Sequence, residues 1–565
     1  GKSLYTGVIE KKSGEYYLIS SDSREPEFRI APVPSDIDTT LGKKVSVKMG
    51  TWVGDVPTAS IDEILGNPGD NNTEMTAIVV EKGFDIEFPD DVLDEAKKLH
   101  GTGIPASEIT NRRDMRGITT FTIDPIDAKD FDDALSYQKL PDGNLEIGIH
   151  IADVSYYVTP GSALDDEARK RTTSIYLVDR VIPMLPEVLS NELCSIRQDE
   201  EKLAYSCIVT VNPTTGAIIS EWFGRTIIKS DKRFSYEEAQ SVIDAKTGLY
   251  VDELTDLMRF SKIYTAERTR AGALSMDSDE VRFILDENGK PIRAMLKKRI
   301  DTMRMIEEWM LIANRSVAKR LSQKNAAGIA VYRIHDKPAP DRVDELKNFL
   351  KTLGFHVSVK NGIISPFELQ QIINSADSDD VRETLTGAIV RHMAKAIYST
   401  ENIGHFGLAF DFYTHFTSPI RRYPDVLVHR LMQLTLNHET VTPEQIPDYI
   451  GMCGYCSDRE REAQVAERES IKYKQVEYMT ERIGQTFTGI ITGLGKFGAY
   501  VAEAESRSEG MVKLMDLGND YFVYDEKNAC IRGEKTKTEY RIGNRIQIRV
   551  KDANLQKKII DYVLV

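Results

Sequence analysis

Between Phe121 and Leu135 the chain reads FTIDPIDAKDFDDAL, with five aspartates in ten positions: Asp124, Asp127, Asp130, Asp132 and Asp133. Lys129 is the only cation inside the stretch. Carboxylates crowded in this way repel one another unless positive charge sits among them, and a divalent cation with oxygen ligands, typically magnesium, meets that need. ITTFTID approaches as an alternating strand and Pro125 turns the chain at the first aspartate. A loop therefore connects the acids and lets Asp124, Asp130, Asp132 and Asp133 converge. Asp132 and Asp133 are adjacent and point different ways, so one can hold metal while the other orients water. Two other readings stand beside this one. A structural calcium loop lacks its glycine and terminal glutamate here. A solvated acidic loop is the usual fate of a charge run, but Phe131 and the flanking strand speak against it.

A second constellation lies far downstream. THFTSPIRRYPDVLVHR (Thr414 to Arg430) sets Arg421 and Arg422 just after a Ser-Pro turn at a helix start. A turn before a helix gives an arginine a rigid approach to a phosphate. Taken alone, the pair also reads as two surface arginines. Together with the acidic stretch it points to a metal-dependent site that cleaves phosphodiesters.

The remaining chain is read as what surrounds that site. Its 565 residues call for several domains. Five cysteines, odd in number, argue for a reducing compartment without a disulfide framework. Cys453 and Cys456 form one CxxC, with no second pair or suitably spaced histidines for zinc, and read as helix-borne cysteines. The net charge of −15, from 73 basic and 88 acidic residues, confines any nucleic-acid contact to a local basic track. No apolar run is long enough to span a bilayer. No signal peptide is visible, and the start on GKSLYTG is expected of a chain trimmed upstream.

Residues 1–75 alternate in short strands and predict a small all-β barrel of the oligonucleotide-binding type, with a β-sandwich as the alternative. Tyr16, Tyr17, Phe28 and Trp52 are stacking candidates, each with core packing as the competing role. GNPGDNN (Gly66 to Asn72) reads as a linker. A connector over 76–111 carries a helix from Asp90 to Gly101. Residues 112–438 read as a mixed α/β domain whose helices include Asp301 to Gln323 and Asp380 to Ser399. A helical continuation follows over 439–483, with Ser457 to Ile483 expected as a solvated, charged helix. Residues 484–565 alternate again as a second small barrel. The fold class expected is multidomain α+β, with the mixed domain flanked by oligonucleotide-binding barrels.

TIDPIDAKDFDDA, HIADVSYYV, IPMLPEVLSNELCS, YRIHDKP and GHFGLAFDFYTHFTSPIRRYPD, in this order, closely resemble the motifs of the ribonuclease II / ribonuclease R family. In that family the central region is the RNB domain, a cold-shock-type barrel precedes it and an S1-type barrel follows, as FGAYV and EGMVKL suggest here. The resemblance implies a processive exoribonuclease that works from the 3′ end of single-stranded RNA and releases nucleoside 5′-monophosphates. It implies magnesium as cofactor, with manganese as a substitute, and a cytoplasmic monomer without membrane contact. By position it assigns Asp124, Asp130 and Asp133 to the metal and Asp132, Asp130 and Arg421 to catalysis. Asp127 falls where the family requires no acid. Tyr176, Met276, Glu307 and Arg422 are expected to touch RNA. Tyr176 matches a tyrosine that packs on the terminal nucleotides, and Glu307 an acid near the terminal ribose, with Glu308 its neighbour. Met276 stands where the family often has a clamping phenylalanine, and AGA stands where RGA is common. A catalytically weak RNA-binding regulator on the same fold is the rival reading.

Overall fold

The structure, a computed structural model, describes residues 4–22, 24–275, 280–324, 326–526 and 528–565. Leu4–Lys12 and Glu15–Ile19 form a hairpin turned by Ser13 and Gly14, both at positive φ, as a tight hairpin turn requires. Phe28–Ile30, Val56–Gly66 and Lys44–Val53 complete a closed barrel. Tyr16 and Phe28 are buried in its core, Tyr17 is half-buried, and Trp52 is exposed. Among the four stacking candidates, Trp52 is the freest to meet a base.

The expected linker is shorter than its composition suggested. The strand runs to Gly66 and a helix, Asn71–Glu81, starts inside the same segment. It buries Met75, Ala77, Ile78 and Val79. The helix Asp90–Thr102 lies where its capping and spacing placed it.

The central domain is built on a seven-stranded sheet. Its order is Lys232–Ser235, Thr120–Asp124, Asp133–Lys139, Leu145–Ala152, Glu201–Val211, Ile218–Lys229 and Arg113–Asp114. The inner pairs are antiparallel and the two outermost strands pair in parallel. Phe121 pairs with Leu135 and Asp133 with Ile151. Asp124 thus ends one strand and Asp133 begins its neighbour, so both stand at one end of the sheet. Helix Asp301–Leu321 covers this sheet with Met305, Trp309, Ile312, Ala313 and Val317, the three-and-four spacing of an amphipathic helix.

Two helical expectations are corrected. Asp380 to Ser399 does not stay helical: the helix Asp379–His392 ends and Ile397–Ser399 pairs as a strand with Tyr332–Ile334. The buried Tyr398, whose N–H donates to Ser457 Oγ at 2.9 Å, overrides local propensity there. The charged helix is also not a solvated link. It spans Ile446–Thr480 and packs along three cores in turn. Met452, Cys453 and Cys456 face the central domain, Ala463, Ala466 and Tyr473 meet Met75 and Val79, and Val476 and Met479 enter the C-terminal barrel. Its charges serve packing: Arg333 pairs with Glu460 at 2.7 Å, and the fully buried Lys474 donates to Gly289 O and Glu477. The two cysteines are buried on this helix, their thiols pushed up by burial.

The C-terminal barrel closes from Thr486–Gly495, Gly498–Glu503, Glu509–Lys513, Ile559–Leu564 and Arg545–Asn554. Among the described residues no helix is long and apolar enough to cross a membrane.

Candidate active site

The loop joining Asp124 to Asp133 is pinned from below. Ser195 Oγ accepts from the Phe131 N–H at 2.9 Å and donates to Lys129 O at 2.7 Å. Ile196 N donates to Phe131 O at 3.0 Å. Arg233 lies across the other side, donating to Pro125 O and Ile126 O at 3.1 and 2.7 Å, with its guanidinium 4.9 Å from the Phe131 ring centre. Asp127 turns outward to pair with Arg282. A solvated acidic loop does not describe this segment, because Phe131 and Asp132 are both buried.

Asp132 is 5% exposed. Its Oδ1 accepts from the Ile420 N–H at 2.9 Å and its Oδ2 lies 3.3 Å from Arg421 Nε. Residues 288 apart in sequence are therefore in direct contact. Arg421 is positioned by the turn before helix Tyr423–Leu436: its Nη2 donates to Ser418 Oγ at 2.8 Å, and Ser418 N donates to Asp425 Oδ2 at 2.8 Å. Its side chain stays 42% exposed, which leaves it able to reach a ligand.

Burial sets the charge state of the acids. It pushes Asp132 up to about 8 against the pull of Arg421, and Asp133 up to about 6. Asp130 is raised by burial. Asp124 is raised well above the usual carboxylate range by burial and by Asp133 beside it. Without added positive charge these groups hold protons that ordinary aspartates release.

A cation's fit rests on two observations. Asp124 Oδ2 is buried without a hydrogen-bond partner, an arrangement that disfavours the charged form unless a ligand completes it. The donors are all carboxylate oxygens, suited to a hard cation. Among the described residues no three acids form a finished cage. An open set of carboxylates, completed by water and substrate phosphate, suits magnesium, which keeps several waters when bound.

The other expected residues separate. Tyr176 is beside the site: Ser174 N donates to Arg421 O at 3.0 Å, and the tyrosine hydroxyl, raised by burial, also feels Arg421, Asp130 and Asp132. It is 37% exposed. Glu307 is exposed and pairs with Arg299, whereas Glu308 is buried against Thr265 and Arg268 on another face. Arg422 has its Nη2 2.8 Å from the buried Asp425, and its Nε is buried without a hydrogen-bond partner. Met276 lies outside the described residues.

Three residues emerge only from the fold. Tyr236 follows the strand that pairs with Thr120–Asp124, and its hydroxyl, raised by burial, feels Asp133 and Asp124 as well as Arg421 and Arg299. Arg299 pairs with Glu307 and its charge also reaches the Tyr236 hydroxyl, and Arg233 clamps the loop. Nothing local in KRFSYEE signals this, because the signal is a parallel pairing across more than a hundred residues.

Comparison with known proteins follows the same outline. The family model for the RNB domain matches residues 112–438, that for the cold shock domain 17–89, and that for the S1 RNA binding domain 480–562. A Ribonuclease R from Thermotoga maritima is 36% identical over 100% of this chain and 81% of its own length. The chain belongs to the ribonuclease R family. A second Ribonuclease R, from Escherichia coli, is 32% identical over 100% of this chain and 71% of that protein. Mycoplasma genitalium RNase R, solved in complex with ribose methylated single-stranded RNA, superposes with a TM-score of 0.89 at 26% identity, covering 100% of this chain and 90% of that one. Yeast Ssd1, described as a pseudonuclease, shares the fold with a TM-score of 0.78 at 20% identity, over 94% of this chain and 67% of its own. The fold therefore does not by itself decide the chemistry, and the acids and Arg421 carry that question.

Proposed function

We propose that this protein is a magnesium-dependent, processive exoribonuclease that acts from the 3′ end of single-stranded RNA, releasing nucleoside 5′-monophosphates, as a cytoplasmic monomer. One observation carries the reading above all. Arg421, on the turn before its helix, meets Asp132 at the end of the sheet where Asp124 and Asp133 also stand. That juxtaposition sets a mobile-proton acid and a fixed guanidinium beside a partly unsatisfied acidic cluster. It is what phosphodiester hydrolysis needs.

Asp124, Asp130 and Asp133 would hold the metal, with manganese able to replace magnesium. A bound magnesium ion supplies charge neutralisation at the phosphate and activation of the attacking water. Asp132 is kept in place by the Ile420 N–H and by Arg421, and it orients water at the phosphate. Arg421 counters charge as it builds on the phosphate. Tyr176 offers a half-exposed ring to the terminal nucleotide, and Glu307, steadied by Arg299, accepts from a ribose hydroxyl. The barrels deliver a single strand, with Trp52 exposed on the first of them. Relatives named Ribonuclease R, and the RNA complex of the Mycoplasma protein, support this reading.

The rival, an RNA-binding regulator without turnover, draws on the likeness to a pseudonuclease. The full set of four acids and the Arg421 contact count against it. The Asp132→Asn variant separates them. It is expected to bind single-stranded RNA as the parent does and to release no mononucleotide. Normal turnover by the variant would overturn the role given to Asp132.

A further inference from the structure

A second site lies on a different face of helix Asp301–Leu321 from Glu307. Here the helix, strand Ile218–Lys229, helix Val251–Arg270 and residues 409–412 enclose a groove of about 950 Å³. That falls within the range of small-molecule sites, about 300–1,000 Å³. None of the four acids at the sheet end lines it.

Its chemistry is sorted. Arg315 and Lys319 project from one helix face into the groove, both exposed, four residues apart. Like charges so placed repel one another along the helix unless an anion sits between them. Arg315 lies 5.2 Å from the Phe410 ring centre and, like Lys319, has no carboxylate partner among the described residues. Other charged groups in the groove already have partners: Arg268 donates to Glu308 at 2.9 Å, Arg320 donates to Gln323 at 2.9 Å, and Glu221 accepts from Ser316 Oγ at 2.6 Å. The rim carries Glu267 and Asp411, both exposed. Two free cations suit one phosphate, a ring suits a base, and rim carboxylates suit hydroxyl or amine donors while repelling a polyphosphate strand.

We infer that this groove binds a nucleoside 5′-monophosphate, its phosphate on Arg315 and Lys319 and its base over Phe410. The site is separate from the aspartates but not isolated from them. Asn314, next to Arg315, accepts from the Phe416 N–H at 2.8 Å, and Phe410 precedes the segment that carries Arg421. That the ligand is also the product class of the reaction, and so a feedback signal, rests on the function proposed above; binding does not.

Calorimetric titration of the full chain with AMP, without divalent metal, tests the site. AMP is expected to bind, and the double variant Arg315→Ala, Lys319→Ala to bind at least tenfold more weakly with an unchanged melting temperature. Adenosine is expected to bind at least tenfold more weakly than AMP. The Asp132→Asn variant is expected to bind AMP as the parent does. Undiminished binding by the double variant, equal binding of adenosine, or lost binding in Asp132→Asn would each overturn the inference. Nuclease activity on the same preparations keeps the two readings apart: loss of AMP binding with intact RNA hydrolysis defeats only this site, and the reverse only the proposed function.

Discussion

Replacing Asp132 by asparagine tests the electrostatics of the site without any substrate. Burial raises this carboxyl from its ordinary value near 4 to about 8. Between those values the folded protein keeps a proton that the unfolded chain has released. Stability therefore falls as pH rises through that window and levels off above about 8. The full displacement corresponds to about 5 kcal/mol at pH 9. Asparagine removes this penalty. It keeps an oxygen for the Ile420 N–H but turns a donor toward Arg421 Nε, a loss of about 1–2 kcal/mol. The variant is thus expected to be more stable than the parent by roughly 3–4 kcal/mol at pH 9 in metal-free buffer, several degrees in melting temperature, and equal to it or slightly less stable at pH 5. Thermal melts followed by circular dichroism from pH 5 to 9 in EDTA supply the comparison. A difference that does not change with pH, or a variant less stable at pH 9, would refute the buried, proton-holding Asp132. Magnesium at pH 8.5 is expected to raise the parent's melting temperature more than the variant's.

Other expectations follow from single contacts. Arg421→Ala is expected to lower the single-turnover rate on RNA by about 10²–10³-fold while leaving RNA affinity close to the parent's. An equal loss of both in filter binding and rapid quench would make Arg421 a binding residue only. Asp153 is fully buried between Arg112 and Arg225, at 2.8 and 3.1 Å. Asp153→Asn leaves two guanidinium groups without their counter-charge and is expected to destabilise the central domain by about 3–5 kcal/mol in urea unfolding; a change below 1 kcal/mol would show that Glu108 alone suffices for Arg112.

Much of the site was legible because its parts are short, dense motifs. The acidic loop, its leading strand and the Ser-Pro turn ahead of Arg421 are local features, and local features survive in a bare sequence. Alternation likewise exposed both barrels. The misreadings share one cause, which is that a side chain's role depends on partners far away in the chain. Ser457 to Ile483 reads as a solvated helix because the buried residues of the helix it belongs to, Ile446–Thr480, face three different cores in succession, which blurs any single apolar stripe. Tyr236 and Arg233 had no signal, since only the parallel strand beside Asp124 brings them in. Glu307 and Glu308 could be told apart only by which helix face meets Arg268.

The central claim, hydrolysis from a free 3′ end with magnesium, is met most directly by product analysis. Single-stranded RNA labelled internally, with either a free or a blocked 3′ end, is incubated with the protein and magnesium, and the products are resolved by chromatography. The account predicts nucleoside 5′-monophosphates accumulating from the free-ended RNA alone, with no release in EDTA. Bound RNA with no mononucleotide, equal release from the blocked strand, or 3′-monophosphate products would contradict it.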